Sequence, residues 1–235
     1  MLVYTTLAAC AVLTAVIVYR YDLHSKEPWP LLLLAAALGA AGMWIAGRAQ
    51  VGVLRWGGSV AARDWNLAMA GVAATTEELA KVLSVAVIAL LFRRWFDEPL
   101  DGLIYGAFAG LGAAVQESVV HLAGLEPLQS LPANEPIRLA GHLVMGGIGG
   151  YGLGMAVVWR RAWPMALAGT WTAAVLLHFF WDLVAFAAMD AGHMTPRLKA
   201  VAIVLMVTGL LVFRWFVAAG SALGPAPAPA AAGAE

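Results

Sequence analysis

Acids, imidazoles and one amine interrupt the apolar stretches of this chain, and their types suit hydrolytic chemistry. Glu77, Glu78 and Lys81 lie in "AATTEELAKVLSVAVIALLF", residues 73–92. Glu117 and His121 follow in a second stretch, His142 begins "GHLVMGGIGGYGLG", and His178 and Asp182 sit in "LHFFWDL". Neutral imidazole with carboxylate is the usual zinc donor set where thiolates are absent, with three protein ligands and one open position in catalytic sites. A free carboxylate beside a metal-bound water is the arrangement for general-base hydrolysis. His178 and Asp182, four apart, share a helix face, as do Glu117 and His121. Glu77 and Lys81 have the favourable acid-before-base spacing of four, which turns Glu78 about 100° around the helix. A plain ion pair between Glu77 and Lys81 would account for those two and leave Glu78 unexplained.

The elements that carry these groups are long and apolar. Of 235 residues 62% are hydrophobic and 12% charged, about half the charge of a soluble domain. A spanning helix needs about 20 mostly apolar residues. Seven stretches qualify, near 2–19, 29–47, 70–92, 100–123, 139–159, 165–189 and 198–219. The expected fold is therefore all-α, a polytopic transmembrane helical bundle of about seven spans, since helices satisfy their own backbone in lipid. Charged groups inside such spans are costly and normally face a polar interior, which makes each a functional candidate.

Their depths agree. Glu78 lies 15 residues before Arg93, Glu117 16 beyond Asp101, His142 18 before Arg160 and His178 14 beyond Pro164. At ~1.5 Å per residue all four lie about 21–27 Å from one face, which predicts a single convergent site. Gly102, Gly106 and Gly110, then Gly146, Gly150 and Gly154, recur every four residues, the small-residue spacing that lets helices approach closely.

Connections hold most of the charge. The segment 47–66, with Arg48, Arg55, Arg63 and tryptophans, reads as interfacial. The segment 124–138 is too rich in turn formers to be helical throughout. Residues 1–220 form one membrane domain, with the active-site spans at about 70–189, and 221–235 form a disordered Pro/Ala tail. The Arg93/Arg94 and Arg160/Arg161 pairs favour an outside N-terminus and an inside tail. Cys10 is the single cysteine, expected to pack in the first span rather than pair. The absence of a basic stretch before it favours a retained span over a removed signal peptide. A formal net charge of zero offers no field for nucleic acid; the bilayer is the expected surround.

"EELAK", "GLIYGAFAGLGAAVQES", "GHLVMGGIGGYGLG" and "HFFWD", in that order, resemble the PrsW-type intramembrane metalloproteases. That family is related to the CAAX prenyl proteases and the bacteriocin-processing group. "YRYDLHSKEPWPLL" resembles the family's first connection and "FDEPLDGLIYG" the approach to its fourth span, so the likeness runs from about residue 16 to 190. It implies a zinc-dependent endopeptidase of a prokaryotic cell membrane. Glu77, Glu78 and Lys81 match the family's double glutamate and lysine. Glu117, His142 and His178 match its later acid and histidines, and Asp182 stands where members carry Asn or Asp. Ala113 and Ser118 depart from the family's Phe and Asn.

The expected mechanism has His142, His178 and Glu117 or Asp182 holding Zn²⁺. Glu78 or Glu77 is then the base, and Lys81 neutralises the other glutamate or supports the oxyanion. The resemblance implies a membrane-anchored protein substrate, the family's known kind being an anti-sigma factor. A proton- or ion-coupled transporter also buries such groups, but would spread them over several depths. A catalytically inactive member that binds a membrane partner is the third reading.

Overall fold

The computed structural model describes residues 1–21, 26–56, 65–125, 128–159 and 163–223. Seven long helices account for most of them: α1 (Leu2–Tyr19), α2 (Trp29–Trp56), α3 (Trp65–Leu91), α4 (Pro99–Ala123), α5 (Asn134–Trp159), α6 (Trp163–Asp190) and α7 (Pro196–Leu223). No strand occurs among the described residues. A 3₁₀ turn, Arg93–Trp95, joins α3 to α4. The chain is a polytopic helical bundle. Among the described residues six helices are long and apolar enough to cross a membrane, and α3 is the exception. It is long enough, at 27 residues, but carries Glu77, Glu78 and Lys81 within five positions.

The packing centres on α4 and α5, whose apolar stretches are the most deeply enclosed of the candidate spans. Glycine makes this possible. A Cβ on Gly102 would stand 2.3 Å from the Gly150 carbonyl oxygen, one on Gly106 2.2 Å from that of Gly146, and one on Gly110 2.1 Å from that of His142. The reciprocal contacts from Gly146, Gly150 and Gly154 are as tight, at 2.1–2.3 Å. Backbone therefore lies directly on backbone, which maximises dispersion contact where no hydrophobic effect drives helices together. A second close approach, Gly39 against Ala109 and Gly112 against Ala36, seats α2 on α4. Leu100, Leu103, Ile104, Leu139 and Ile148 fill the space around this spine, each at most 1% exposed. Cys10 packs, half-buried, against the same core.

Capping fixes where α4 begins. Pro99 occupies its first turn, where a missing N–H costs nothing. Asp101 Oδ2 accepts hydrogen bonds from the backbone N–H groups of Asp97 and Glu98, both at 2.8 Å. That satisfies donors which a helix start otherwise leaves open.

Several helices extend past their sequence limits, and two of these extensions, in α2 and α5, bear on the site. Helix α2 continues to Trp56, through much of the segment that reads as an interfacial connection. Helix α5 begins at Asn134, with Pro136 in its first turn, so the turn-forming residues end earlier than their composition suggests. His142 is thus two turns inside α5 rather than at its start. The tail from 224, His24, Arg63, Arg160 and Arg161 lie outside the described residues, and α7 reaches Leu223.

Candidate active site

Four helices contribute to one polar cluster, in which Glu117 and Asp182 are partly exposed and the other side chains buried. Helix α3 supplies Glu77, Glu78 and Lys81, α4 supplies Glu117, α5 supplies His142, and α6 supplies His178 and Asp182. Gly110 sets the register between two of these helices, because its missing Cβ lets the His142 backbone lie against α4. Helix α6 is seated on α5 in the same way, with a Cβ on Gly152 standing 1.9 Å from Thr170 Oγ1. The two imidazole rings then meet edge to face, centroids 5.1 Å apart.

Each imidazole has a carboxylate against one ring nitrogen. His178 Nδ1 lies 2.7 Å from Glu78 Oε1. That oxygen also accepts from Lys81 Nζ at 2.5 Å. Lys81 therefore pairs with Glu78 at a spacing of three, not with Glu77 at four as the sequence suggests. Both spacings put side chains on one helix face, and His178 decides between them by drawing Glu78 inward. All three groups are buried. On the other ring, His142 Nε2 lies 3.0 Å from Glu117 Oε2. Arg138 Nη1 holds the second oxygen of Glu117 at 3.2 Å, and Arg138 Nη2 lies 3.5 Å from Glu135 Oε1.

The other nitrogen of His178 faces Glu77. His178 Nε2 is 3.6 Å from Glu77 Oε2 and also 3.6 Å from Asp182 Oδ1. One ligand-type atom from each of Glu77, His142 and His178 lies within 4.8 Å of the other two. Four-coordinate zinc with bonds near 2.1 Å places its ligands roughly 3.4 Å apart, so a small inward rotation of side chains completes such a site. Four atoms of the cluster are buried without a hydrogen bond, Glu77 Oε2, Glu78 Oε2, Glu117 Oε2 and His142 Nδ1, and the first and last belong to this trio. Buried polar atoms are normally satisfied. Donor chemistry and orphaned atoms together fit a divalent ion.

Gln50 is the residue that sequence reasoning misses. Its Nε2 donates to Glu77 Oε1 and to Thr76 Oγ1, each at 3.1 Å. Nothing in a lone glutamine marks it, and the segment around it resembles a connection. Arg138 and Glu135 were hidden likewise in a turn-rich stretch that proves to be the first turns of α5. His121, 41% exposed and 3.9 Å from Glu135, stays at the periphery.

A family model described as PrsW family intramembrane metalloprotease matches residues 27–213. No curated protein and no solved structure matches the chain significantly.

Proposed function

We propose that this chain, which belongs to the PrsW family of intramembrane metalloproteases, is a zinc-dependent endopeptidase acting on a membrane-anchored protein. The observation that carries the reading is the convergence of Glu77, His142 and His178 from three helices inside a buried cluster. Two imidazoles and a carboxylate would hold the ion, leaving one position open. When bound, such an ion polarises a peptide carbonyl and acidifies a water.

The chain's own groups take the other roles. Glu78 accepts from Lys81 and faces His178 Nδ1, which fixes that ring with Nε2 toward the ion, the carboxylate–imidazole arrangement that orients metal ligands. Glu117 does the same for His142 from Nε2, steadied by Arg138. Of the two glutamates favoured as base on sequence grounds, Glu78 is engaged by Lys81 and His178 and Glu77 is among the ligands. The base role passes to Asp182, whose Oδ1 is 3.6 Å from His178 Nε2. Asp182 takes a proton as water adds to the scissile carbonyl and returns it to the amide nitrogen as the C–N bond breaks.

An anti-sigma factor is the substrate kind that the family likeness suggests, and a prokaryotic cell membrane the location. With an outside N-terminus, the cut would fall near the outer face. The test is metal analysis and cleavage with the purified protein in nanodiscs. About one zinc per chain, lost in a His142→Ala/His178→Ala double variant together with cleavage of a tagged single-span substrate, is the expected result. A folded wild-type protein that takes up no divalent ion overturns the metal mechanism and favours a transporter or an inactive binding protein.

A further inference from the structure

Gln50 reaches the cluster from α2, which supplies none of the acids or imidazoles. Its amide nitrogen sits 3.1 Å from both Thr76 Oγ1 and Glu77 Oε1. The hydrogen-bond roles are determined by the partners. Thr76 Oγ1 donates its own hydrogen to the Val72 carbonyl at 2.7 Å, so it can only accept from Gln50. Glu77, as a carboxylate, also only accepts. The atom between them must therefore carry two hydrogens, and a primary amide supplies them. A carboxylate of the same size supplies none.

This engagement divides the two oxygens of Glu77. Oε1 is held by Gln50, while Oε2 is buried without a hydrogen bond and stands 3.6 Å from His178 Nε2. We infer that Gln50 is a positioning residue for the metal centre. Its amide clamps Glu77 Oε1 between α2 and α3 and presents Oε2 as a single-oxygen ligand to the ion. The inference rests on the metal reading above and extends it to a fifth helix, α2. It also gives Thr76 a purpose: its hydroxyl occupies the second amide hydrogen and stops the Gln50 headgroup from rotating away.

The test compares zinc affinity in wild-type protein, Gln50→Leu and Gln50→Glu, by competition with a chromophoric chelator in nanodiscs. Leucine keeps the bulk and removes both donors. Glutamate keeps the shape, removes the donors and sets a like charge against Glu77. Loss of an outer hydrogen bond to a metal ligand costs about 10- to 100-fold in affinity. Gln50→Leu should weaken zinc about 10-fold, and Gln50→Glu should weaken it more. In a Glu77→Gln background, where the ligand is already lost, Gln50→Leu should change zinc affinity no further. Gln50→Asn, which restores the two-hydrogen donor one methylene shorter, should recover part of the loss.

Equal zinc affinity in wild-type and Gln50→Leu proteins overturns the role of Gln50 and leaves the metal centre standing. An equal loss from Gln50→Leu with and without Glu77 also overturns it, since Gln50 would then be acting through the fold. A wild-type protein without zinc overturns both readings at once.

Discussion

His178 Nδ1 stands 2.7 Å from Glu78 Oε1, at a point where both side chains are almost wholly enclosed. Helices α3 and α6 are joined there by a polar contact that no lipid or water can replace. Lys81 joins the same contact, 2.5 Å from the shared oxygen. The three groups are interdependent, and separating them has measurable consequences.

Removing the cation alone should be worse than removing the pair. Lys81→Met leaves Glu78 buried with only an imidazole beside it, and breaking a buried pair typically costs about 3–5 kcal/mol. A Lys81→Met/Glu78→Gln double variant should be more stable than Lys81→Met. Chemical unfolding in mixed micelles, followed by tryptophan fluorescence, measures both; a double variant less stable than the single one contradicts the pairing.

Asp182 and Glu117 should separate by phenotype. Asp182→Asn is expected to retain zinc and lose cleavage by about 10²- to 10⁴-fold, the range of general-base catalysis. Glu117→Gln is expected to weaken zinc about 10-fold through His142. Metal titration and single-turnover cleavage on each variant distinguish the two, and the reverse pattern would exchange their roles.

The glycine contact beneath His142 should be essential. Gly110→Ala places a methyl group 2.1 Å from the His142 carbonyl oxygen, so α5 must shift. Overpacking of this kind costs about 1–3 kcal/mol, and zinc binding should fall with it. Gly169→Ala, which meets nothing within 4 Å, is the control. Equal zinc content in both variants would show that the α4–α5 register does not set the site.

Metal choice follows from the donors. Two imidazole nitrogens and a carboxylate suit zinc over magnesium, which prefers oxygen ligands and keeps its waters. Activity removed by 1,10-phenanthroline should return with zinc and not with magnesium. Return with magnesium alone would point to an oxygen-only site elsewhere.

Much of this protein is legible in one dimension. Length and hydropathy determine the helices, because a bilayer demands about 20 apolar residues and a self-satisfied backbone. The four-residue glycine spacing marks the close helix pair, and the shared depth of Glu78, Glu117, His142 and His178 marks a common level. Depth is readable because rise per residue is constant along a helix.

Azimuth and partner choice are not readable in that way. Spacings of three and four both serve an α3 ion pair, and only the position of α6 selects Glu78 over Glu77 for Lys81. The ends of α2 and α5 are obscured because interfacial and turn-forming residues are tolerated in the terminal turns of helices. Gln50 and Arg138 lie in those terminal stretches, and neither carries a local signal. The residue types and their level are properties of the sequence; which oxygen meets which nitrogen depends on how the helices are rotated against one another, and the tertiary structure alone decides that.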